Sequence, residues 1–204
     1  MNFLVENPEL HQQKSSGMFE HVISSINSFG SFSQQHVSLV LDHLKTQTFL
    51  KRDCLIREGQ VCQAFYFINQ GSFRHYTVQE NGEEATLNLF ISNEWLFEYK
   101  SFMTQQPSQN IIEAVTDSEV FSLSVWDFHK LVRISDGFFR LGRLLEQAIQ
   151  NQDFQHNRLT PEQKYERLLS WKPELLQCFP LKWIASYLGM TPETLSRIRK
   201  KISS

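Results

Sequence analysis

The spacing of apolar residues divides the chain into three stretches. Over residues 19–44, apolar side chains recur every three or four positions, for example at Val40 and Leu44, which predicts one or two opening helices. Residues 48–124 carry short apolar runs broken by turn residues, as β-strands do. Helical spacing returns over residues 135–159 and continues beyond them. The pattern therefore predicts helices, then a β-rich region, then helices again.

The β-rich region is predicted to contain many short strands. The run AFYFINQGSFRHYTV indicates two strands joined by a turn at Gly71, and NGEE, from Asn81, supplies a hairpin-type turn. In the following ATLNLFI, Leu87, Leu89 and Ile91 alternate onto one face. The runs NIIEAV and EVFSLS continue the series. Short strands at such regular spacing favour a jelly-roll or β-roll over a parallel α/β sheet.

The segment 135–159 contains no proline and places an apolar stripe on one helical face. Its 3-4-4 spacing is close to the seam of a coiled coil. We expect this helix to pair with the same helix of a second copy, although a helix packed on its own sheet would show a similar stripe. The residues assigned to the dimer interface are Phe138, Leu141, Leu145 and Ile149.

Charge is distributed unevenly around a net value of −2. From Thr160 onward there are eight Lys or Arg against four Glu, whereas the preceding residues carry 12 basic and 18 acidic side chains. A basic C-terminal region on an acidic body is expected when only one part of a protein meets nucleic acid.

Cysteine usage and hydropathy point to a cytoplasmic protein. Cys54, Cys62 and Cys178 are far apart and odd in number, which favours reduced, buried thiols over a disulfide framework. With no C-x-x-C pair, a structural metal has little support. No apolar run is long enough to span a bilayer, and the N-terminus lacks the pattern of a secretion signal.

The sequence LKWIASYLGMTPETLSRIRKK, which begins at Leu181, has the features of a helix-turn-helix. Ala185 is small where the two helices would cross, and Gly189 suits the positive φ that ends the first helix. Thr191 would cap the second helix, with Pro192 at its first position. The inward apolar positions are Ile184, Leu188, Leu195 and Ile198.

The outward face of the second helix carries side chains suited to DNA. Thr191, Glu193, Thr194 and Arg197 lie in its N-terminal half, where a recognition helix meets base edges in the major groove. Arg197 can bind guanine through two hydrogen bonds, and Glu193 can accept one from cytosine. The remaining cations, assigned to phosphates, are Arg199, Lys200 and Lys201. The helix dipole alone would account for the two lysines, but not for Arg197 beside Glu193 and Thr194.

Together these motifs resemble the Crp/Fnr family of bacterial transcription regulators. The resemblance covers nearly the whole chain, through EGQ from Glu58, FYFINQGSFRHY, NGEE, TDSEVFSLS and MTPETLSRIRKKI. It implies a homodimer that reads a two-fold site in double-stranded DNA, with half-sites about 34 Å apart. A small-molecule effector and RNA polymerase are further candidate partners that the family suggests.

The resemblance also fixes the expected architecture, an α+β fold. Residues 1–134 would form N-terminal helices and a cyclic-nucleotide-binding-like β-roll, residues 135–159 the dimerisation helix, and residues 160–204 the helix-turn-helix region. Family members usually follow the recognition helix with a β-hairpin wing. Because this sequence ends at Ser204, we expect no wing, and hence weaker, more dimer-dependent DNA binding.

In cyclic-nucleotide-binding members, a short helical cassette begins with Gly-Glu and ends with Arg-Ser or Arg-Thr. The Arg neutralises the cyclic phosphate, and the Glu holds the ribose hydroxyl. Here Glu98 fits the acidic position, but Phe97 replaces the Gly, and no Arg lies near Ser108 and Gln109. Lys100 is a poor substitute, since a flexible ammonium does not copy a bidentate fork.

These five residues are the candidate effector pocket. Burying a cyclic phosphate without a cation is costly, so we expect an effector other than cAMP, or none, and no resident cofactor. For Glu98, a solvated or helix-capping role is an equally good interpretation.

Two other classes of function remain to be weighed. A β-roll enzyme of the cupin type needs His-x-His with further ligands, but the histidines are scattered and His75 stands alone; we therefore expect no enzyme. An effector-sensing dimer that acts through a protein partner without reading DNA would fit an incomplete cassette and a missing wing. It would leave the second helix of the C-terminal motif unexplained.

Overall fold

The computed structural model describes residues 17–146 and 159–202 of the chain. Its fold is α+β, as predicted, with two antiparallel sheets between N-terminal and C-terminal helices. The division of the chain at 134 and 159 stays a prediction.

Two helices open the described chain, and their apolar faces cover the β-roll. Val22, Ile26 and Val40 are buried in the core of the roll. The second helix is capped by Ser33, whose hydroxyl accepts a hydrogen bond from the backbone N–H of His36. The two helices are α1 (Glu20–Ser28) and α2 (Gln34–His43).

Eight short strands form the predicted roll. They are β1 (Lys45–Phe49), β2 (Cys54–Ile56), β3 (Ala64–Gln70), β4 (Ser72–Val78), β5 (Glu84–Ile91), β6 (Trp95–Leu96), β7 (Ile111–Ala114) and β8 (Ser118–Ser124). One sheet has the order β1-β8-β3-β6 and the other the order β2-β7-β4-β5, and neighbouring strands are antiparallel in both.

Both turns predicted from glycine-containing motifs are present. Gly71 joins β3 to β4 with φ +104, and a Cβ at this position would lie 2.1 Å from the hydroxyl oxygen of Ser118. Only glycine fits this turn, because both the conformation and the close approach exclude a side chain. The NGEE motif forms the hairpin turn between β4 and β5, with Gly82 at φ +80.

The main core lies between the two sheets and is rich in phenylalanine. Phe67 of β3 and Phe121 of β8 are fully buried neighbours with parallel rings 6.5 Å apart. Phe73 of β4 meets the ring of Phe49 edge-on at 5.9 Å. Each fully buried phenylalanine stabilises the fold by roughly 1.5–3 kcal/mol, so this aromatic layer is a main source of stability for the roll.

The chain leaves the roll through a capped helix and a tighter helical segment. Ser124 caps α4 (Val125–Ile134) by accepting a hydrogen bond from the N–H of Asp127. Within the roll, α3 (Tyr99–Thr104) forms the cassette helix between β6 and β7. A 3₁₀ helix follows α4 over Asp136–Gly142, and α-helix begins again at Arg143.

Two residues assigned to the dimer interface face the subunit's own core instead. Phe138 is fully buried, with its ring 4.9 Å from that of His36 and 6.3 Å from that of Phe32. Leu141 is 1% exposed in the same core. Their side chains keep almost no exposed surface for a second copy, and the assignment of the dimer interface stays a prediction. Leu145 is partly buried, and Ile149 lies outside the described residues.

Four helices form the described C-terminal region. They are α5 (Pro161–Trp171), α6 (Leu175–Cys178), α7 (Leu181–Tyr187) and α8 (Pro192–Ile202). The first begins with a capping box, because Thr160 accepts from the N–H of Gln163 while the Gln163 side chain accepts from the N–H of Thr160. These helices enclose a second apolar core, which includes Leu89 of β5.

Candidate DNA-reading helix and effector cassette

The helices α7 and α8 meet as the sequence motif predicted. Gly189 ends α7 with φ +69, and Ala185 is fully buried where the chain turns, with its carbonyl accepting from the N–H of Met190 at 2.9 Å. Thr191 accepts a hydrogen bond from the N–H of Thr194 at 3.3 Å, as an N-cap does. The inward apolar side chains are all buried: Ile184, Leu188, Leu195 and Ile198.

The outward face of α8 is polar and open. Thr191, Glu193 and Arg197 are exposed, and Thr194 is half-buried between them. One guanidinium nitrogen of Arg197 donates to the hydroxyl of Thr194 at 3.4 Å, and the hydroxyl oxygens of Thr191 and Thr194 lie 3.2 Å apart. These long contacts hold the side chains loosely, so they can exchange protein partners for a ligand.

The protonation state of Glu193 suits an acceptor role. A hydrogen bond from its own backbone N–H, together with the Thr191 hydroxyl and the charge of Arg197, holds the pKa of Glu193 below its ordinary value. The side chain is therefore a carboxylate at neutral pH and can only accept hydrogen bonds.

The predicted phosphate-binding cations differ in their surroundings. Arg199 is half-buried, and Lys200 is exposed. Lys201 forms an ion pair with Glu162 on α5, at 2.9 Å between Nζ and Oε1, and this hydrogen bond raises the pKa of Lys201. Both residues of the pair line a groove between α5 and α8. The lining residues are Thr160, Pro161, Glu162, Thr194, Arg197, Ile198 and Lys201.

In the cassette, Glu98 is 3% exposed and has its partners within the chain. It caps α3 by accepting from the N–H of Ser101 at 2.6 Å, and its second oxygen accepts from the side-chain amide of Asn110 at 3.2 Å. The structure therefore favours the capping interpretation of Glu98 over a ligand contact.

The far end of the cassette is also closed by its own hydrogen bonds. Ser108 is 3% exposed, and its hydroxyl bonds both the N–H and the carbonyl of Asn110 at 3.0 Å. Its backbone N–H donates to the carbonyl of Gln60, and its carbonyl accepts from the N–H of Gly59. No polar group of Ser108 is left to receive a phosphate.

The other three pocket candidates do not converge on a site. Phe97 is 6% exposed and packs edge-on against Phe65 at 4.9 Å, as part of the core. Lys100 and Gln109 are exposed and approach each other at 3.5 Å on the surface. The Gly-to-Phe replacement thus contributes an apolar core residue.

Two polar residues of this region were not predicted from the sequence. Asn110 and Ser101 complete the hydrogen bonds of Glu98, and the E-x-x-S spacing of a helix cap could have indicated Ser101. His75 shares the inward face of β4 with Phe73, and its Nε2 is buried without a hydrogen-bond partner among the described residues. Burial lowers the pKa of His75 to about 4, so the imidazole is neutral.

Other predicted features can be compared directly. The three cysteines are free thiols, but only Cys62 is buried, whereas Cys178 is exposed. In residues 17–146 and 159–202 no helix is long and apolar enough to cross a membrane. The same residues contain no cluster of three or more His, Cys, Asp or Glu that could hold a metal ion.

Comparison with known proteins agrees with the fold. Residues 46–135 match the cyclic nucleotide-binding domain family. The cyclic AMP receptor protein of Thermus thermophilus is 24% identical over 178 residues, which cover 83% of this chain and 82% of the relative. The regulatory subunit of cAMP-dependent protein kinase from Debaryomyces hansenii is 28% identical over 115 residues, 56% of this chain; that match spans 24% of the relative.

A solved structure shows the same fold over most of the chain. A transcriptional regulator from Eubacterium rectale, assigned to the Crp/Fnr family, superposes with a TM-score of 0.59 at 16% identity, covering 84% of each chain. By name, two of these proteins are regulatory and the third is a receptor of cyclic AMP.

Proposed function

We propose that the protein is a DNA-binding transcription regulator, because residues 46–135 match the cyclic nucleotide-binding domain family and the fold is shared with a regulator assigned to the Crp/Fnr family. It acts as a homodimer and reads a two-fold DNA site through α8. The observation that carries this proposal is the open polar face of that helix, where Thr191, Glu193 and Arg197 are exposed above a buried apolar face.

Each side chain on this face has a role that its chemistry supports. Arg197 binds a guanine through two donors, and Glu193, a carboxylate, accepts from the amino group of a cytosine. Thr191 and Thr194 donate to or accept from either kind of base. Arg199, Lys200 and Lys201 follow toward the C-terminal end of α8 and bind phosphates, which adds affinity without reading sequence.

The dimer forms through the helix that begins near residue 143. Phe138 and Leu141 take no part, because they are buried in the subunit. Leu145 and Ile149 keep their assigned role, and Phe139, 63% exposed, adds an apolar side chain on the outer side of the same segment. Two half-sites about one helical turn apart then match the two recognition helices.

The effector of this regulator is not cAMP. Glu98 and Ser108, at the two ends of the cassette, form their hydrogen bonds with other residues of the chain. Lys100 is the cation of the cassette helix, and it points to the surface toward Gln109. A cyclic phosphate placed here would lose its water and gain no cation in return.

Selection from a randomised DNA pool tests the proposal. The purified full-length protein is incubated with the pool at a stated salt concentration, with and without cAMP, and bound sequences are enriched and read. We expect a two-fold symmetric motif that is enriched equally in both arms.

The other outcomes are equally informative. Enrichment that needs cAMP would overturn the assignment of the cassette. Absence of a motif in both arms, with the protein folded and dimeric, would overturn the DNA reader in favour of a dimer that acts through a protein partner.

A further inference from the structure

The C-terminal helices share an apolar core with the β-roll. Leu89 of β5 is fully buried within the core of those helices, and Ile91 and Val115 pack against it. The backbone N–H of Thr86 donates to the hydroxyl of Ser186 on α7 at 2.9 Å. The outer face of the sheet β2-β7-β4-β5 is therefore in direct contact with the first helix of the DNA-reading pair.

Arg74 of β4 is a charged residue inside this contact, only 4% exposed. Its guanidinium carbon lies 4.4 Å from the ring centroid of Tyr76 and 4.6 Å from that of Trp183 on α7. Its Nε donates to the hydroxyl of Thr86 at 3.0 Å, and one terminal nitrogen donates to Glu84. The cation thus has an ion pair, a hydrogen bond and two aromatic rings around it.

These contacts give the guanidinium a fixed plane. The hydrogen bonds to Thr86 and Glu84 come from neighbouring β5, so the sheet itself sets the orientation of Arg74. The ring of Trp183 then contacts a preformed cation. A lysine could not copy this arrangement, since an ammonium has no plane to orient and no fork of donors.

Trp183 connects this cation to the reading helix. It lies one residue before Ile184, whose buried side chain shares a core with Leu195 and Ile198 of α8. A half-buried ion pair between Lys172 and Glu94 adds a second polar link between the C-terminal helices and the roll. In this docked arrangement, Glu193 and Arg197 of α8 remain exposed, so docking orients the reading face and does not cover it.

We propose that Arg74 is a positioning residue for DNA reading. Acting through Trp183, it holds α7 and α8 at one orientation on the β-roll. In the dimer, which rests on the proposed function above, it thereby sets the distance between the two recognition helices.

Hydrogen exchange of the full-length protein tests the local part of this proposal without DNA. In Arg74→Met, the amide of Thr86 and the amides of α7 should exchange about 10-fold faster or more, because a desolvated cation–π contact is lost. Amides of β3 and β8 should be unchanged. The matched control is Arg133→Met, because Arg133 is an exposed residue of α4. Equal exchange in the variant and the wild type would overturn the proposal.

Binding to DNA duplexes with varied half-site spacing tests the positioning part. The wild type should prefer one spacing. Arg74→Met should bind that site about 10-fold more weakly and accept neighbouring spacings, while its affinity for a single half-site stays within about 2-fold. Arg74→Lys should recover only part of the spacing preference.

Two other outcomes are distinguishable. If single half-site binding falls as much as full-site binding, Arg74 has only a general structural role, and positioning is overturned. If the wild type selects no DNA motif, the proposed function fails, but the exchange measurement still decides whether Arg74 holds α7 on the roll.

Discussion

Two regions of this molecule lie where a Crp/Fnr-type regulator would meet a ligand, and they treat their polar side chains in opposite ways. On α8, Glu193 and Arg197 are exposed, and Arg197 donates a long hydrogen bond, at 3.4 Å, to the hydroxyl of Thr194. In the cassette, Glu98 and Ser108 are each 3% exposed and bonded to Asn110. On α8 the donors and acceptors are therefore available to a ligand, whereas in the cassette they form hydrogen bonds within the cassette itself.

The contrast shows that residue type alone does not identify a binding site. A carboxylate occurs in both regions at the place where the resemblance would put a ligand contact. Glu193 faces water, and Glu98 caps a helix from the inside. Removing a buried, hydrogen-bonded group leaves its buried partners unsatisfied and destabilises the fold, whereas removing an exposed group affects mainly the binding of a ligand. Substitutions in the two regions should therefore have different effects.

The largest effect should come from Arg197→Ala on the reading face. Loss of a bidentate contact to guanine should weaken binding of the selected site by about 10- to 100-fold per half-site, while the free energy of unfolding stays within about 0.5 kcal/mol of the wild type. Titration of a fluorescent duplex against a mismatched duplex measures both affinity and discrimination. Arg133→Ala controls for the loss of one charge; a variant that kept its discrimination would remove Arg197 from the reading face.

His75 is a third case, because its Nε2 is buried and has no hydrogen-bond partner among the described residues. Its pKa falls from an ordinary value of 6.5 to about 4, so below pH 6.5 the unfolded chain binds the proton more readily than the folded one. Stability should be full above pH 6.5 and fall by up to about 3 kcal/mol as the pH drops to 4. The free energy of unfolding, measured with urea, should depend less on pH in His75→Leu than in the wild type. The same pH dependence in both proteins would contradict the neutral imidazole.

In the cassette, Glu98→Ala should affect stability and not ligand binding. The variant loses the cap of α3 and leaves the amide of Asn110 unpaired, which should cost about 1–3 kcal/mol of unfolding free energy. Chemical denaturation measures this loss, and Glu80→Ala, on the exposed hairpin, serves as the matched control. An unchanged midpoint would mean that the cassette is open in solution and resembles the reading helix after all.

The smallest effect should come from Glu162→Gln, beside the reading face. Without the Glu162 carboxylate, Lys201 no longer has to break an ion pair in order to reach a phosphate, and such exposed pairs contribute little. DNA affinity should rise by about 2- to 5-fold, and its salt dependence should steepen by at most about one counterion. Glu80→Gln makes the same change of charge on the β4–β5 hairpin; an equal gain there would reduce the effect to net charge.

Local signals in the sequence predicted the C-terminal motif well. The φ of Gly189 and the cap at Thr191 involve residues within three or four positions of each other. The β-roll was also predicted from the number and spacing of its strands, although the pairing of β1 with β8 joins Lys45 to Ser122 and Phe49 to Ser118, far apart along the chain.

Long-range packing was beyond the reach of such patterns. The stripe that includes Phe138 and Leu141 has the same period whether it faces a second copy or the subunit's own α2, where His36 in fact meets Phe138. The amide that binds Glu98 lies 12 positions further along the chain. Trp183 is still further from Arg74, and no local signal links them.

The burial of Leu89 among the C-terminal helices bears on how this protein can be cut into pieces. A fragment that ends at 146 would turn Leu89, Ile91 and Val115 toward water, together with the face that carries Arg74. Such an uncovered apolar surface promotes aggregation. A fragment that starts at 159 would lack Leu89, which is part of the core of its helices. We therefore expect the two parts of a nicked protein to stay associated. We also expect each part to be soluble only when the other part is present.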